Sequence, residues 1–162
     1  MTNGKIVAFG GIFTIAFAAY LFWPAKADTQ LTNVGAEDKI EVVMYKNATF
    51  MCCAKWATHM ETAEFEVKEV VPENLYDVKV EAGITQQLSS CHTSKVGGYV
   101  VEGHVPPEDI RRLLAEKPDA IGITAPGMPM GSPGMEVVGQ PADNYDVLLI
   151  HSDGTTSVWA TH

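Results

Sequence analysis

The apolar, β-branched run Ile40-Glu41-Val42-Val43-Met44-Tyr45-Lys46 gives way, after a short turn, to a stretch whose apolar residues recur at intervals of three and four. That junction constrains the fold more than any other part of the chain. The run predicts a strand buried on both faces, and Lys46-Asn47-Ala48-Thr49 turns the chain. Thr49 is placed to cap a helix whose first three positions are Phe50, Met51 and Cys52. Cys53, Trp56, Met60 and Ala63 form its inward stripe, so two adjacent thiols fall at a helix N-terminus.

The pattern continues in the same alternation. Phe65 to Val70 alternates as a second strand, and Pro72 opens a helical segment with Leu75, Val78 and Ala82 on one face, stopped by Gly83. LSSCHTSKV and GYVVEGHV flank Gly97-Gly98 as an antiparallel hairpin with Cys91 on its first arm. Pro107 starts a helix with Ile110, Leu113 and Leu114 facing inward, closed by Pro118. The following PDAIGITAPGMPMGSPGME is too rich in Gly and Pro for regular structure, too long for an idle connection, and carries Met128, Met130 and Met135. YDVLLIH and TTSVWATH, joined by Ser152-Asp153-Gly154, form a closing hairpin. Strand, helix, strand, helix, two antiparallel strands and helix is the layout of an α/β, thioredoxin-like single domain (β-α-β-α-β-β-α), here with an added C-terminal β-hairpin.

That domain occupies residues 39–162. Ahead of it, Lys5 precedes the apolar run Ile6 to Trp23, and Ala25-Lys26-Ala27 supplies an A-x-A cleavage site. Residues 1–27 read as a signal peptide, with an uncleaved anchor built on residues 6–23 as the alternative. Residues 28–38 are polar and aperiodic, a linker. Either reading exports the domain, to the periplasm or an equivalent compartment. The net charge is −9, and removing residues 1–27 takes away Lys5 and Lys26 but no acid, leaving −11. Such a surface repels nucleic acid and anionic membranes and attracts cations.

Three cysteines make an odd count for an exported chain, so at least one thiol is free, paired with another chain or held by a metal. The helix N-terminus should lower the pKa of Cys52, and of Cys53 with it. A C-x-x-C redox pair is missing, because Phe50 stands three before Cys53, and only Cys91 remains to resolve either thiol. Adjacent helical side chains diverge by about 100°, which suits metal ligation better than a mutual disulfide. Met51, the three loop methionines, Cys91 and the imidazoles are soft donors that select Cu(I), and the spacing is not that of a structural zinc site. On a pleated strand only one of Cys91 and His92 can face the site; Cys91 is taken as the ligand and His92 as a surrounding or surface group. His104 joins the candidate metal ligands, whereas His59 lies too far along its helix to share an ion. No hydrolase, zincin or nucleotide-binding motif occurs.

MYKNATFMCCAKWATHM, SSCHTSKVGGYVVEGHVPPEDIRRLL and APGMPMGSPGME together resemble the DUF411 metal-binding family, which includes CopG-like periplasmic copper-resistance proteins. The resemblance runs from about Ile40 to the C-terminus. It implies a thioredoxin-like fold, export, and copper as ligand, with Cys52, Cys53 and Cys91 matching the family's thiolates. The family's C-x-C-C motif is broken here, with Phe50 in place of its first cysteine and Met51 beside it as a thioether substitute.

The expected function is exported copper handling. Cu(I), more than one ion included, is sequestered or transferred through Cys52, Cys53 and Cys91, with Met51, Met128, Met130, Met135 and His104 assisting. Enzymatic activity is not required. A copper chaperone or efflux component is the expected partner, and membrane contact arises only through an uncleaved N-terminus. The alternatives are a thiol-disulfide oxidoreductase using Cys52 or Cys53 with Cys91, and a degenerate relative with an interaction role.

Overall fold

The computed structural model describes residues 39–49 and 51–162. The signal or anchor segment, the linker and the helical placement of Phe50 lie outside the described residues. The chain forms β1 (Ile40–Lys46), α1 (Met51–Thr62), β2 (Phe65–Val70), α2 (Leu75–Glu81), β3 (His92–Val96), β4 (Tyr99–Glu102), α3 (Pro107–Glu116), β5 (Ala120–Thr124), β6 (Asp146–His151) and β7 (Thr156–Thr161). All seven strands join one mixed sheet in the order β2-β1-β3-β4-β5-β6-β7. β1 runs parallel to β2 and β4 parallel to β5, and the other pairs are antiparallel.

Helices cover both faces. Trp56 and Met60 of α1 and Ile110 and Leu113 of α3 pack with Val42, Met44, Val101 and Ile123 of the sheet in the main core. A smaller cluster under the end of α2 joins Ala82 and Ile84 to Val100 and Ile150 on the opposite face. Successive strand residues point to opposite faces, so Val101 and Val100 serve different layers. Truncating a fully buried residue such as Ile110 or Leu113 to Ala should cost about 2–5 kcal/mol, the usual range for a large-to-small core change.

Two local expectations need correction. β5 lies inside the segment read as irregular from Pro118 onward. Its Gly122 masked the strand signal, and the structure shows why glycine is there. A Cβ at Gly122 would fall 1.8 Å from the carbonyl oxygen of Val100, the residue opposite on β4. α2 also starts later than Pro72, at Leu75, because the Asn74 side chain accepts from the Tyr76 N–H and sets the cap there. Among the described residues no helix is long and apolar enough to cross a membrane.

Candidate metal centre

Three segments meet at one end of the sheet. The first turn of α1 brings Cys52 and Cys53, the bend entering β3 brings Cys91 and His92, and the turn after β4 brings His104. Cys53 Sγ lies 3.3 Å from Cys91 Sγ, and Cys52 Sγ lies 4.0 Å from both. His104 Nε2 is 2.9 Å from the Cys91 sulfur, and His92 Nδ1 is 3.2 Å from it. The donors form two triads, Cys52-Cys91-His104 and Cys53-Cys91-His92, in each of which the ligand atoms lie within 4.8 Å of one another. Cys91 belongs to both. All three cysteines are free thiols.

The imidazoles are held in useful orientations. The Pro133 carbonyl can only accept, so the 2.8 Å contact makes His104 Nδ1 the donor and turns Nε2 toward the thiols. His92 is fully buried between the Trp56 ring, 4.5 Å away centre to centre, and His104, at 5.1 Å. Its Nε2 has no hydrogen-bond partner among the described residues. Trp56 itself donates from Nε1 to the Val105 carbonyl at 2.9 Å, which closes the apolar side of the cluster.

His92 corrects an expectation. It is neither a surface residue nor excluded by Cys91, since both lie at the site. Pleat alternation assigns neighbours to opposite faces only within a strand, and Cys91 precedes β3 in a bend. The adjacent Cys-His pair on the first arm of the predicted hairpin was the available signal.

The thiols also ionise differently from the expectation at a helix N-terminus. Burial, then the neighbouring Cys91, raises the pKa of Cys52 above the ordinary thiol value. The contact with Cys53, then burial, raises Cys91 well above the thiol range, against an opposing pull from His104. Burial and then a neighbouring sulfur both oppose the helix dipole at Cys52, since a second negative charge would sit 4.0 Å from the first. Burial lowers His104, but its contact with Cys91 and the Pro133 carbonyl more than offset this and raise it. His92 is lowered well below the ordinary value by burial, then by His104, Lys79 and Lys46, so it stays neutral.

A buried ion pair that the sequence reading missed brackets the Cys91-His92 pair. Glu102, fully buried on β4, accepts from Lys79 Nζ at 2.5 Å, the Ser90 N–H at 2.6 Å and Thr93 Oγ1 at 2.6 Å. Residues 90 and 93, on either side of the ligands, are thus tied to one carboxylate. A lysine on a short amphipathic helix carries no sequence sign of burial.

The methionines are distributed unevenly. Met51, at the start of α1, is 78% exposed and is not packed among the thiols. Met128 is half-exposed and borders a cleft that it shares with Cys91. Met130 is tied through its backbone to Asp143 on both sides, with an N–H to Oδ2 contact of 2.8 Å. Met135 closes a turn by donating to the Ser132 carbonyl at 2.8 Å. Beside Met135, Gly134 seats the loop on α1. A Cβ there would fall 2.7 Å from Trp56 N and 2.9 Å from the Cys52 carbonyl.

Residues 88–135, which span Cys91, His92, His104 and the methionine loop, match a family described as a protein of unknown function, DUF411. Two solved structures, both named copper resistance protein CopG, in forms 2 and 1, superpose with a TM-score of 0.73 and 38% sequence identity. They cover 77% of this chain and 99% and 98% of their own. No curated protein sequence matches. With that identity over nearly the full length of the solved structures, and with the family's block carrying three of the five residues of the sulfur and imidazole cluster, the chain belongs to the DUF411 family of CopG-like proteins.

Proposed function

We propose that this protein binds copper as Cu(I) outside the cytoplasm and sequesters it or passes it on. The carrying observation is the convergence of three thiol sulfurs and two imidazoles from three chain segments, with neighbouring contacts of 2.9 to 4.0 Å. Thiolate and imidazole together suit a soft monovalent cation, and the fixed His104 tautomer presents an unprotonated nitrogen to it. Cys52, Cys53, Cys91 and His104 are the proposed ligands, and His92 is added to them. Two triads that share Cys91 support a site for more than one ion, with the Cys91 thiolate as bridge. The names of the related structures favour copper over zinc.

Residues 1–27 are proposed as an export signal cleaved after Ala27, and residues 28–38 as a linker to the domain at 39–162. The order β2-β1-β3-β4, with α1 and α3 on one face and α2 on the other, supports a thioredoxin-like reading to which β5, β6 and β7 are appended. A copper chaperone or efflux component is the proposed partner.

Anaerobic Cu(I) titration of the reduced protein tests the reading. Tight uptake should be weakened in Cys52→Ser and Cys53→Ser and lost in Cys91→Ser; uptake unchanged in all three would refute it. The 3.3 Å contact between Cys53 and Cys91 favours one second reading, a thiol oxidoreductase using that pair. A thiol count and peptide mapping of the protein as isolated separate the two: a stoichiometric Cys53–Cys91 link supports the second, and three free thiols argue against it.

A further inference from the structure

Cys91, just ahead of β3, lies between the sulfur cluster and an open cleft. On one side its sulfur meets Cys53 and His104. On the other it lines an open cleft of about 470 Å³ with Leu75, Tyr76 and Lys79 of α2, and with Met128. That volume lies within the usual span for small-ligand sites, roughly 300–1,000 Å³.

The backbone brings Met128 there. Ser90 and Gly127 face each other in a parallel bridge. The Gly127 N–H donates to the Ser89 carbonyl at 3.0 Å, and the Ser90 hydroxyl donates to the Gly127 carbonyl. The next residues on these two parallel segments are Cys91 and Met128, so the bridge sets them side by side along the cleft. Met128 is 53% exposed and Cys91 only 7%. Met128 thus stands at the exposed mouth of the cleft and Cys91 at its buried floor. Met130 and Met135 do not line this cleft and are held in turns of their own.

A thioether is soft, uncharged and needs no deprotonation, so it can take Cu(I) without releasing a proton and give it up easily. A thiolate holds the ion more firmly. We propose that the cleft is the port through which Cu(I) is exchanged, with Met128 as the first protein ligand and Cys91 as the acceptor. The inference rests on the Cu(I)-binding reading above and adds a route to it. The step is ligand exchange: the ion stays Cu(I), its carrier departs with its own ligand, a bond to the Cys91 sulfur forms as that to Met128 breaks, and the thiol proton goes to solvent.

Stopped-flow transfer of Cu(I) between its bicinchoninate complex and the reduced protein, followed in both directions, tests this. Met128→Leu should slow uptake and release together by about tenfold or more, within the one to three decades over which association rates vary among mutants of one site. Asn47→Trp, at an exposed turn on the rim of the cleft, should do the same by obstruction. Rates like those of the unmodified protein in both variants would overturn the port. An unchanged uptake rate with weakened affinity in Met128→Leu would also overturn it, by making Met128 a resident ligand. If the unmodified protein takes up no Cu(I), the binding reading itself fails, an outcome distinct from either.

Discussion

His104 Nε2 lies 2.9 Å from the sulfur of Cys91, and its other ring nitrogen donates to the Pro133 carbonyl at 2.8 Å. The methionine-bearing loop thereby orients an imidazole that faces the thiols, so the loop and the cluster form one structural unit.

Because Cys91 is common to both triads, Cys91→Ser should reduce Cu(I) capacity more than either Cys52→Ser or Cys53→Ser, each of which spares one triad. His104→Ala should weaken affinity by about 10- to 100-fold, the range found when groups around a metal are removed. Native mass spectrometry of anaerobically loaded protein gives the stoichiometry and chelator competition the affinity. Equal loss in all three cysteine variants would refute a bridging role for Cys91.

Copper affinity should fall as pH falls. Cys52 and Cys91 are raised above the ordinary thiol value, so both carry protons at neutral pH, and an ion must displace them. Each displaced proton contributes up to about one decade of affinity per pH unit. His104 is also raised, so on acidification it becomes a cation earlier than an ordinary histidine does, which steepens the loss on the acid side. Competition titrations at a series of pH values, with proton release measured in weak buffer, check the sign and the slope.

Lys79→Met should destabilise the protein by about 3–5 kcal/mol, since it leaves the Glu102 carboxylate buried and uncompensated. Adding Glu102→Leu should recover much of that loss, because a buried ion pair replaced whole by apolar groups is often near neutral. The double variant should still bind copper less tightly, as Ser90 and Thr93 lose their common anchor beside Cys91. Urea unfolding of the four species, with Cu(I) affinity measured on each, separates the two effects.

Gly134→Ala should lift the loop from α1. The residue has φ +86°, and the added methyl would meet the Trp56 nitrogen and the Cys52 carbonyl. The cost should be about 1–3 kcal/mol, typical of a strained left-handed residue. Faster amide exchange across residues 131–136, with the core strands unaffected, is the expected signature.

Much of this architecture was legible in the residues. The β-branched run ending at Lys46 and the stripe through Cys53, Trp56 and Met60 are dominated by local periodicity, and β1 and α1 fall where they predict. β2, the β3–β4 hairpin, α3 and the closing β6–β7 hairpin follow from the same kind of signal. β5 did not, because Gly122 answers to the Val100 carbonyl on a neighbouring strand, a partner that periodicity within one segment cannot name.

Residue type alone determined the chemistry on offer: three thiols, several thioethers and imidazoles, and an acidic surface that favours cations. Tertiary structure decided which of them meet. It gathered Cys52, Cys53 and Cys91 with His92 and His104, left Met51 in solvent, and set Met128 beside Cys91 on the cleft. It also made Cys52, expected to be acidic, and Cys91 hold their protons more firmly, since the energy of a charge depends on what is packed around it and sequence distance does not report that.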